Sequence, residues 1–390
     1  MNIPEIQKSL AENNLDGWLM ADFHGRNTVA TEMLQIYGHI TRRSFYFIPV
    51  SGEPVALIHA IEKPLFKHLP GVKHICSSYR TLEEKLKETV APSMKLAMEY
   101  SPNGRLPYIG LVDAGTIELV RSIGCEILSS ENLVAKFQAI LDDSQIESHK
   151  KAAVMINKIK DDAFALIKDS IENSKSITEF DVVSFILEQF EKNKMETDHS
   201  PICGVNGNAG NPHYEPIEGK SSEINRGDLI LIDLWAKLNS DRAVFADITW
   251  MAFAGKKSEI PEKFTNIFWV ITGGRNAAVD FLNENLPKRD VVGGEVDDIC
   301  RNYIKNNKLD EYFVHRTGHS ITTNVHGTGP NIDNMETEDS RILQKGHLFS
   351  IEPGVYMEDC GFRTEIDVLI GDKTAEIHTQ PIQTEILALF

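Results

Sequence analysis

An acidic residue inside an apolar run is the feature that most restricts how this chain can fold. Asp233 lies in the run D-L-I-L-I-D-L-W-A-K of residues 228–237, and Asp247 lies in A-V-F-A-D-I-T-W of residues 243–250. Burying an ionised carboxylate in such a strand costs free energy unless a partner compensates the charge. We expect a hairpin centred on Ser240, which would place the two carboxylates opposite each other with Cβ atoms about 5 Å apart. Carboxylates at that distance repel each other unless they share a proton or a cation.

A second pair of acids repeats this pattern near the C-terminus. Glu352 interrupts the strand-like run L-F-S-I-E-P-G-V-Y, and Glu365 interrupts G-F-R-T-E-I-D-V-L-I. The two acids are symmetric about the junction of residues 358 and 359, so a hairpin closing there would again place two carboxylates opposite each other. Asp367 shares the face of Glu365, because side chains on a strand alternate with a period of two. It is a reserve candidate further from the turn.

A histidine-rich stretch, Y-F-V-H-R-T-G-H-S-I-T-T-N-V-H-G-T-G-P, occupies residues 312–330. It contains His315, His319 and His326, which are three of only 13 histidines in the chain. A neutral imidazole is the commonest protein ligand for a transition metal and a frequent general acid or base. The glycines between them permit tight turns and the close approach of a ligand. Taken alone, the stretch is equally compatible with a polar loop and with a metal-binding or catalytic site. The acidic residues described above favour the site.

Residues 201–219, P-I-C-G-V-N-G-N-A-G-N-P-H-Y-E-P-I-E-G, form a second candidate segment. Loops of this kind often carry function on a rigid scaffold. His213 lies near the tip of this loop. On composition alone, an ordinary exposed histidine is the more common explanation.

The length of 390 residues predicts two domains, because a single core rarely grows so large. Residues 1–143 mix helix and strand signals, which predicts an α/β domain. A Ser-x-x-Glu capping box at Ser144 predicts a long helix that runs towards Ile171, and a second start signal at Ser176 precedes another amphipathic helix. We expect these helices to pack over a sheet formed by the rest of residues 144–390.

The composition excludes several classes of function. A net charge of −17 and the lack of a basic stripe argue against binding of nucleic acid, which needs clustered lysine and arginine. No apolar run approaches the roughly 18 residues that span a bilayer, and the N-terminus has no signal-peptide pattern. The five cysteines are scattered and form no C-x-x-C pair. We therefore expect buried free thiols in a cytoplasmic protein that binds neither nucleic acid nor a membrane.

Together the acids and one histidine form a ligand set for metal ions. Its candidate members are Asp233, Asp247, His319, Glu352 and Glu365. Four hard oxygen donors and one imidazole suit divalent ions such as Mn²⁺, Co²⁺, Fe²⁺ or Zn²⁺. One ion would leave an excess of negative charge, whereas two ions about 3.5–4 Å apart balance four carboxylates. The sequence therefore predicts a dinuclear metal site, with acid pairs that share protons as the alternative.

The segments L-I-D-L, A-D-I-T, H-R-T-G-H-S-I-T-T-N-V-H-G, F-S-I-E-P-G-V-Y and F-R-T-E-I-D-V occur in the order of a known family. In these segments the chain resembles the creatinase, aminopeptidase P and methionine aminopeptidase family of metallopeptidases, M24. The resemblance implies an α+β fold, with a pita-bread catalytic domain over residues 144–390. Residues 1–143 resemble the smaller α/β N-terminal domain of creatinases and prolidases. That domain favours the Xaa-Pro aminopeptidase and dipeptidase branch over methionine aminopeptidases.

The resemblance also implies a role for each ligand. Asp233 would chelate one ion, and His319 would bind the other together with Glu352. Asp247 and Glu365 would bridge the two ions, with manganese as the first expectation and cobalt, zinc or iron as alternatives. Glu352 would also handle the proton of a bridging water or hydroxide that attacks an Xaa-Pro bond.

Three further residues match accessory positions of the family. His213 and His326 would contact the scissile peptide and the tetrahedral intermediate, where a protonated imidazole could stabilise the developing oxyanion. Arg363 lies beside the last ligand and would orient the carboxylates. The resemblance further implies a peptide or dipeptide substrate and a homodimer, in which the N-terminal domain of one subunit borders the site of the other.

Three features depart from the family pattern. Trp235 stands where a glycine is usual, Trp250 stands where an arginine is usual, and the two aspartates are further apart than is common. All five candidate ligands are present despite these changes, so we expect the changes to affect substrate preference and not metal binding. Two other functions remain open at this point. One is a hydrolase or lyase that acts on a small non-peptide C–N substrate, and the other is a binding protein without catalysis.

Overall fold

The computed structural model describes residues 1–390 as two compact units, Met1–Gln138 and Ala139–Phe390. The division lies shortly before the domain boundary expected at residues 143 and 144. Each unit has hydrophobic clusters of its own. The five cysteines are buried free thiols, as expected. No helix in either unit combines the length and the apolar character that crossing a membrane requires.

The first unit contains a six-stranded sheet in the order β4-β3-β2-β1-β5-β6. Its strands are β1 (Gly17–Asp22), β2 (Ser44–Pro49), β3 (Val55–His59), β4 (Val72–Cys76), β5 (Lys95–Met98) and β6 (Glu126–Ser129). Its helices are α1 (Ile3–Glu12), α2 (Thr28–Met33), α3 (Tyr79–Thr89), α4 (Ala114–Ser122) and α5 (Glu131–Gln138). Strand β1 is buried along its whole length and pairs with β2 and β5. The predicted mixture of helices and strands is confirmed.

The second unit combines long helices with several small sheets. Its helices are α6 (Asp143–Glu172), α7 (Glu179–Lys192), α8 (Glu262–Asn285) and α9 (Gly293–Asn306). Its strands are β7 (Met195–Glu196), β8 (Ile202–Val205), β9 (Leu229–Leu238), β10 (Ala246–Phe253), β11 (Leu348–Ile351), β12 (Gly354–Tyr356), β13 (Gly361–Arg363), β14 (Ile366–Ile370), β15 (Ala375–Ile377) and β16 (Leu387–Ala388). The sheets are β16-β10-β9-β7 with β8 also paired to β9, then β11-β14-β15, and then β12-β13.

Helix α6 covers β9 and β10, and α7 packs against β7 and β8, but the first residues of both helices differ from the expected ones. Asp142, not Ser144, is the N-cap of α6, because its side chain accepts a hydrogen bond from Gln145 N in the first turn. The buried stripe of α6 then packs on the sheet. Thr178 caps α7 and has Asp181 as its capping partner, so Glu179 takes no part in the cap and is fully buried.

The hairpin of β9 and β10 forms, but its expected register is wrong. Asp233 pairs with Thr249, and Asp247 pairs with Trp235. The hairpin is therefore centred on residue 241, and the two aspartates are diagonal neighbours instead of a directly opposed pair. They still share one face of the sheet, because side chains two residues apart on a strand point the same way.

This shift of register has a long-range cause. Val244 N donates to Ser148 Oγ at 3.1 Å, and Phe245 N donates to Thr322 O at 3.1 Å. These bonds take residues 243–245 out of the ladder and lengthen the connection between the strands. Diagonal neighbours have Cβ atoms roughly 7 Å apart, which suits a cation between the carboxylates better than a shared proton.

The second hairpin keeps the predicted register. The β11–β14 ladder and the β12–β13 ladder have one continuous register, in which Glu352 and Glu365 are opposite each other. Both acids lie in the gap between the two ladders, outside any strand. Pro353 accounts for the gap on one side, since a proline has no N–H group to donate to a ladder.

Candidate metal centre

Distant parts of the second unit bring the predicted ligands together. The ligand atoms of Asp247, His319 and Glu365 all lie within 4.8 Å of one another. His319 Nε2 lies 3.7 Å from Asp247 Oδ2 and 3.4 Å from Glu352 Oε1. Asp233 shares the sheet face of Asp247, and all five residues line the same cleft.

Backbone contacts fix His319 against β11. His319 N donates to Ser350 Oγ at 3.0 Å, and Ser350 N donates to His319 O at 2.9 Å. Gly318 permits this approach, because a Cβ atom on it would lie 1.9 Å from Ser350 O. The Ser350 hydroxyl also donates to Glu352 Oε1 at 3.2 Å. One serine therefore orients two of the candidate ligands.

The ligand cluster is buried and short of protein partners. Asp233, Asp247 and Glu365 are only 7 %, 4 % and 4 % exposed. Asp233 Oδ1 and Asp247 Oδ1 are buried without a hydrogen-bond partner. Burial raises the pKa of all three carboxyls, and repulsion from the neighbouring acids raises the pKa of Asp247 and Glu365 further. Burying carboxylate oxygens without a partner costs free energy unless a cation binds them. The donor set therefore fits two divalent metal ions.

The imidazole of His319 is in the form that binds metal. Burial lowers the pKa of His319 well below its ordinary value, and the nearby His326 lowers it further. The ring centroids of these two histidines are 4.3 Å apart. His319 Nδ1 faces Ser320 O at 3.3 Å, which leaves the neutral Nε2 to face the acids as a ligand atom.

Arg363 is the cationic centre of the cluster. It donates to Asp233 Oδ2, to Thr249 Oγ1 at 3.1 Å and to Tyr356 OH at 2.8 Å. Thr249 in turn donates to Glu365 Oε2 at 2.7 Å. Arg363 is therefore placed to orient Asp233 directly and Glu365 through Thr249.

Tyr356 and His315 extend this hydrogen-bond network away from the ligands. His315 Nε2 lies 2.7 Å from Tyr356 OH, and His315 Nδ1 lies 2.6 Å from Arg316 O. Burial raises the pKa of Tyr356 to about 12 and lowers the pKa of His315 to about 3, so both groups are neutral at pH 7. His315 thus supports the Arg363 network instead of belonging to the ligand set.

A cleft of about 260 Å³ opens onto the ligand cluster. Its apolar lining consists of Ile202, Pro212, Trp235 and Val325. His213 and His326 also line it, and both are exposed at its surface. Desolvation of the ring and the charge of Arg316 lower the pKa of His326 to about 4. The lowered pKa favours a neutral imidazole at pH 7, so His326 offers an N–H donor instead of the positive charge considered from the sequence.

The two tryptophans that depart from the family pattern lie on opposite faces of the sheet. Trp235 lines the cleft, and its Nε1 donates to Asp198 Oδ1 at 2.8 Å. Trp250 lies on the other face, where Lys160 Nζ is 3.4 Å from its ring centroid and α6 packs against it. An effect of Trp250 on the choice of substrate is therefore not supported, because its side chain does not line the cleft.

Asp367, the reserve ligand, supports the cluster from outside it. Its Oδ2 accepts a hydrogen bond from Asp247 N at 2.9 Å, and its own backbone N donates to Thr379 Oγ1 at 2.8 Å. Its side chain is absent from both the ligand cluster and the cleft lining. Asp367 thus holds the backbone of a ligand.

Several polar residues of the site were not identified from the sequence. Thr249 and Ser350 each lie two residues from a predicted ligand and share its face, so the strand period could have identified them. Arg316, Glu336 and Tyr356 had no such signal. Arg316 N contacts Glu336, and Tyr356 OH contacts His315, at separations of 20 and 41 residues along the chain.

Comparison with known proteins identifies the family. The profile of metallopeptidase family M24 matches residues 147–372. A protein of Mycoplasma pneumoniae, provisionally named a Xaa-Pro aminopeptidase, is 28 % identical over 198 residues. That alignment covers 50 % of this chain and 51 % of the relative, so the chain spans about half the length of this curated protein.

Solved structures show the same fold. The prolidase from Thermococcus sibiricus has a TM-score of 0.68 and 22 % identity, over 99 % of this chain and 98 % of the prolidase. An X-prolyl aminopeptidase from Caenorhabditis elegans, described as a cytosolic enzyme with a di-nuclear active site, has a TM-score of 0.71 and 18 % identity, over 99 % of this chain and 62 % of that one. With the family profile and the converging ligands, these likenesses lead to one assignment. The chain belongs to metallopeptidase family M24 and has its pita-bread fold, preceded by a smaller α/β domain.

Proposed function

We propose that this chain is a dinuclear metal-dependent exopeptidase that hydrolyses Xaa-Pro bonds, as an Xaa-Pro aminopeptidase or Xaa-Pro dipeptidase. The observation that carries this proposal is the convergence of four carboxylates and one neutral imidazole on a single cleft. The names of the Mycoplasma pneumoniae and Thermococcus sibiricus proteins support the class of substrate. Manganese is the proposed metal, although cobalt, zinc and iron accept the same ligand types.

The ligands divide between two metal positions. Asp233 would hold one ion, His319 and Glu352 would hold the other, and Asp247 and Glu365 would contact both. Ions held there would supply a water molecule of lowered pKa and would polarise the scissile carbonyl group. Arg363 keeps the Asp233 carboxylate oriented through its direct hydrogen bond.

Glu352 is the proposed carrier of the proton. Its Oε1 lies 3.4 Å from His319 Nε2, and its side chain lines the cleft. A carboxylate in that place is within reach of a water molecule between the proposed ions and can take up and pass on a proton. Glu352 would therefore accept a proton from the attacking water and deliver it to the leaving proline nitrogen.

The two cleft histidines are the proposed binding groups for the peptide. His326 is neutral at pH 7, so its N–H group would donate to the carbonyl oxygen as negative charge develops there. His213 lines the same cleft and would contact the peptide beside the scissile bond. Neither histidine needs to carry a positive charge for this role.

Release of the free N-terminal residue Xaa tests the proposed function, because cleavage of the Xaa-Pro bond frees it from dipeptides and longer peptides alike. The protein would be loaded with Mn²⁺, freed of excess metal and incubated with Xaa-Pro dipeptides and with longer Xaa-Pro peptides. We expect hydrolysis that a chelator abolishes and added metal restores. Turnover of a small non-peptide C–N substrate without peptide hydrolysis would contradict the proposal in favour of another enzyme class. Bound metal without any turnover would contradict it in favour of a binding protein.

Trp235 is expected to limit the size of the substrate residue beside it. Its indole is fixed by Asp198 and forms part of the apolar cleft lining. Trp235→Ala should raise kcat/KM for Phe-Pro relative to Ala-Pro by about tenfold or more, because the enlarged pocket admits the larger side chain. Trp250→Phe on the opposite face is the matched control and should leave the ratio unchanged. An unchanged ratio in Trp235→Ala would remove Trp235 from substrate selection.

We also propose a cytoplasmic homodimer. The buried free thiols support a reducing compartment. Light scattering after gel filtration should give a mass of twice 43.8 kDa. The mass of a single chain would contradict the dimer and leave the proposed chemistry unaffected.

A further inference from the structure

Glu179 is a buried carboxylate that the proposed mechanism does not use. It is 0 % exposed and lies at the start of α7. Its Oε1 accepts hydrogen bonds from Val205 N at 2.8 Å and Asn208 Nδ2 at 2.9 Å. Its Oε2 accepts hydrogen bonds from Ser222 N at 2.8 Å and Tyr214 OH at 2.5 Å. These neutral donors and the positive end of the helix dipole compensate the buried charge.

All four donors belong to residues 205–222, the loop that carries His213. Within this loop, Tyr214 N donates to Asn211 O at 3.0 Å, and His213 N donates to Asn211 Oδ1 at 3.0 Å. Pro212 and His213 line the cleft, while the next side chain, Tyr214, is tied to Glu179. The tight turn at Asn211 thus links the position of His213 to the Glu179 carboxylate.

The other side of the loop packs against the hairpin of β12 and β13. A Cβ atom on Gly210 would lie 2.2 Å from Met357 O, and a Cβ atom on Gly361 would lie 1.8 Å from Ala209 O. Backbones in such close contact cannot move independently. The loop is therefore held between Glu179 on one side and the hairpin that separates Glu352 from Glu365 on the other.

We propose that Glu179 is a positioning residue that sets the place of His213 in the cleft. The proposal rests on the proposed function, because the position of His213 matters to turnover only if the cleft binds a peptide. In Glu179→Gln, an amide replaces the carboxylate and one of its two acceptor oxygens becomes a donor. At least one donor of the loop then lacks an acceptor, and the loop loses its fixed position.

Hydrogen exchange tests the anchoring without any substrate. In Glu179→Gln, backbone amides of residues 206–222 should exchange about tenfold faster, whereas the bound metal content should stay at the wild-type level. Tyr214→Phe removes a single donor and is less disruptive to folding. It should give a smaller increase in the exchange rate of the same amides, again with unchanged metal content. Glu62→Gln is the matched control, because Glu62 is a buried carboxylate of the other unit that accepts hydrogen bonds from Thr41. It should leave exchange in residues 206–222 unchanged.

A double-mutant cycle tests whether Glu179 acts through His213. Glu179→Gln should lower kcat/KM for an Xaa-Pro substrate by roughly 10- to 100-fold, because a small displacement of a positioned group is costly to turnover. In a His213→Ala background, Glu179→Gln should lower kcat/KM further by less than about twofold. A purely structural role would give the full loss in both backgrounds.

The outcomes separate this proposal from the proposed function. Wild-type exchange of residues 206–222 in both Glu179→Gln and Tyr214→Phe would overturn the anchoring, and a fully additive loss in the cycle would overturn the action through His213. The proposed function would be overturned if the wild type bound metal but cleaved no peptide, while residues 206–222 still exchanged faster in Glu179→Gln and Tyr214→Phe. That outcome would leave Glu179 as the anchor of the loop.

Discussion

Replacement of Glu352 by glutamine is expected to lower kcat for Xaa-Pro substrates by about 10³-fold. Glutamine keeps the size of the side chain and one oxygen that can face the metal, but it cannot take up or release a proton. The loss should therefore appear in kcat at saturating metal, and not only in metal affinity. Turnover and bound metal should be measured on the same preparation, so that a loss of ions is not mistaken for a loss of proton transfer.

Glu336→Gln is the control for this variant. Glu336 also lines the cleft, but it lies outside the ligand cluster and accepts a hydrogen bond from Arg316 N at 2.9 Å. We expect kcat to fall less than tenfold in this control. Near-normal turnover of Glu352→Gln with bound metal would remove Glu352 from the proton-transfer role.

Bound metal is expected to stabilise the protein more strongly as the pH rises from 5 to 7. Without metal, burial raises the pKa of Asp233, Asp247 and Glu365, and raises the pKa of Glu352 to about 7. Between the unfolded and the folded pKa values, the folded state holds protons that the unfolded state has released, so the metal-free protein loses stability as the pH rises through that interval. The shift of Glu352 alone, from 4.5 to about 7, corresponds to roughly 3 kcal/mol, which is lost between these two pH values. The melting temperatures with Mn²⁺ and with chelator should therefore diverge by about 5–10 °C.

The difference between the two melting temperatures separates the acids from the histidines. Burial lowers the pKa of a set of histidines below 6.5, so their contribution has the opposite sign and is lost as the pH falls below that value. These are His149, His315, His319, His326 and His378. Most of them lie outside the ligand set and contribute with and without metal, so the difference reports mainly the acids. Asp247→Asn removes one of the repelling acids and should make this difference depend less on pH. A difference that stays constant between pH 5 and pH 7 in the wild type would contradict this explanation.

The convergence of the candidate ligands was predictable because each of the four acids carries a local signal. A charge inside an apolar run is costly wherever the run folds, so Asp233, Asp247, Glu352 and Glu365 stood out from the sequence alone. The register of the second hairpin followed from the symmetry of two ladders around a short turn. In that case, local chain geometry was sufficient.

The first hairpin shows where local reasoning fails. Its register depends on bonds from Val244 to Ser148 and from Phe245 to Thr322, which join segments distant along the chain. Tertiary contacts of this kind override the turn that the sequence favours. The neutral state of His326 also depends on such packing. Neither could be obtained from spacing or residue type. The face of Trp250, in contrast, follows from the strand period, because Trp250 lies three residues from Asp247 on the same strand.

Anomalous scattering from crystals soaked with Mn²⁺ tests the dinuclear site most directly. Two peaks roughly 3.5–4 Å apart should lie among Asp233, Asp247, His319, Glu352 and Glu365. The peaks should weaken or disappear in Asp247→Asn, which removes a carboxylate expected to contact both ions. Crystals of the wild type with no peak among these five side chains, or with ions bound only elsewhere, would contradict the central claim.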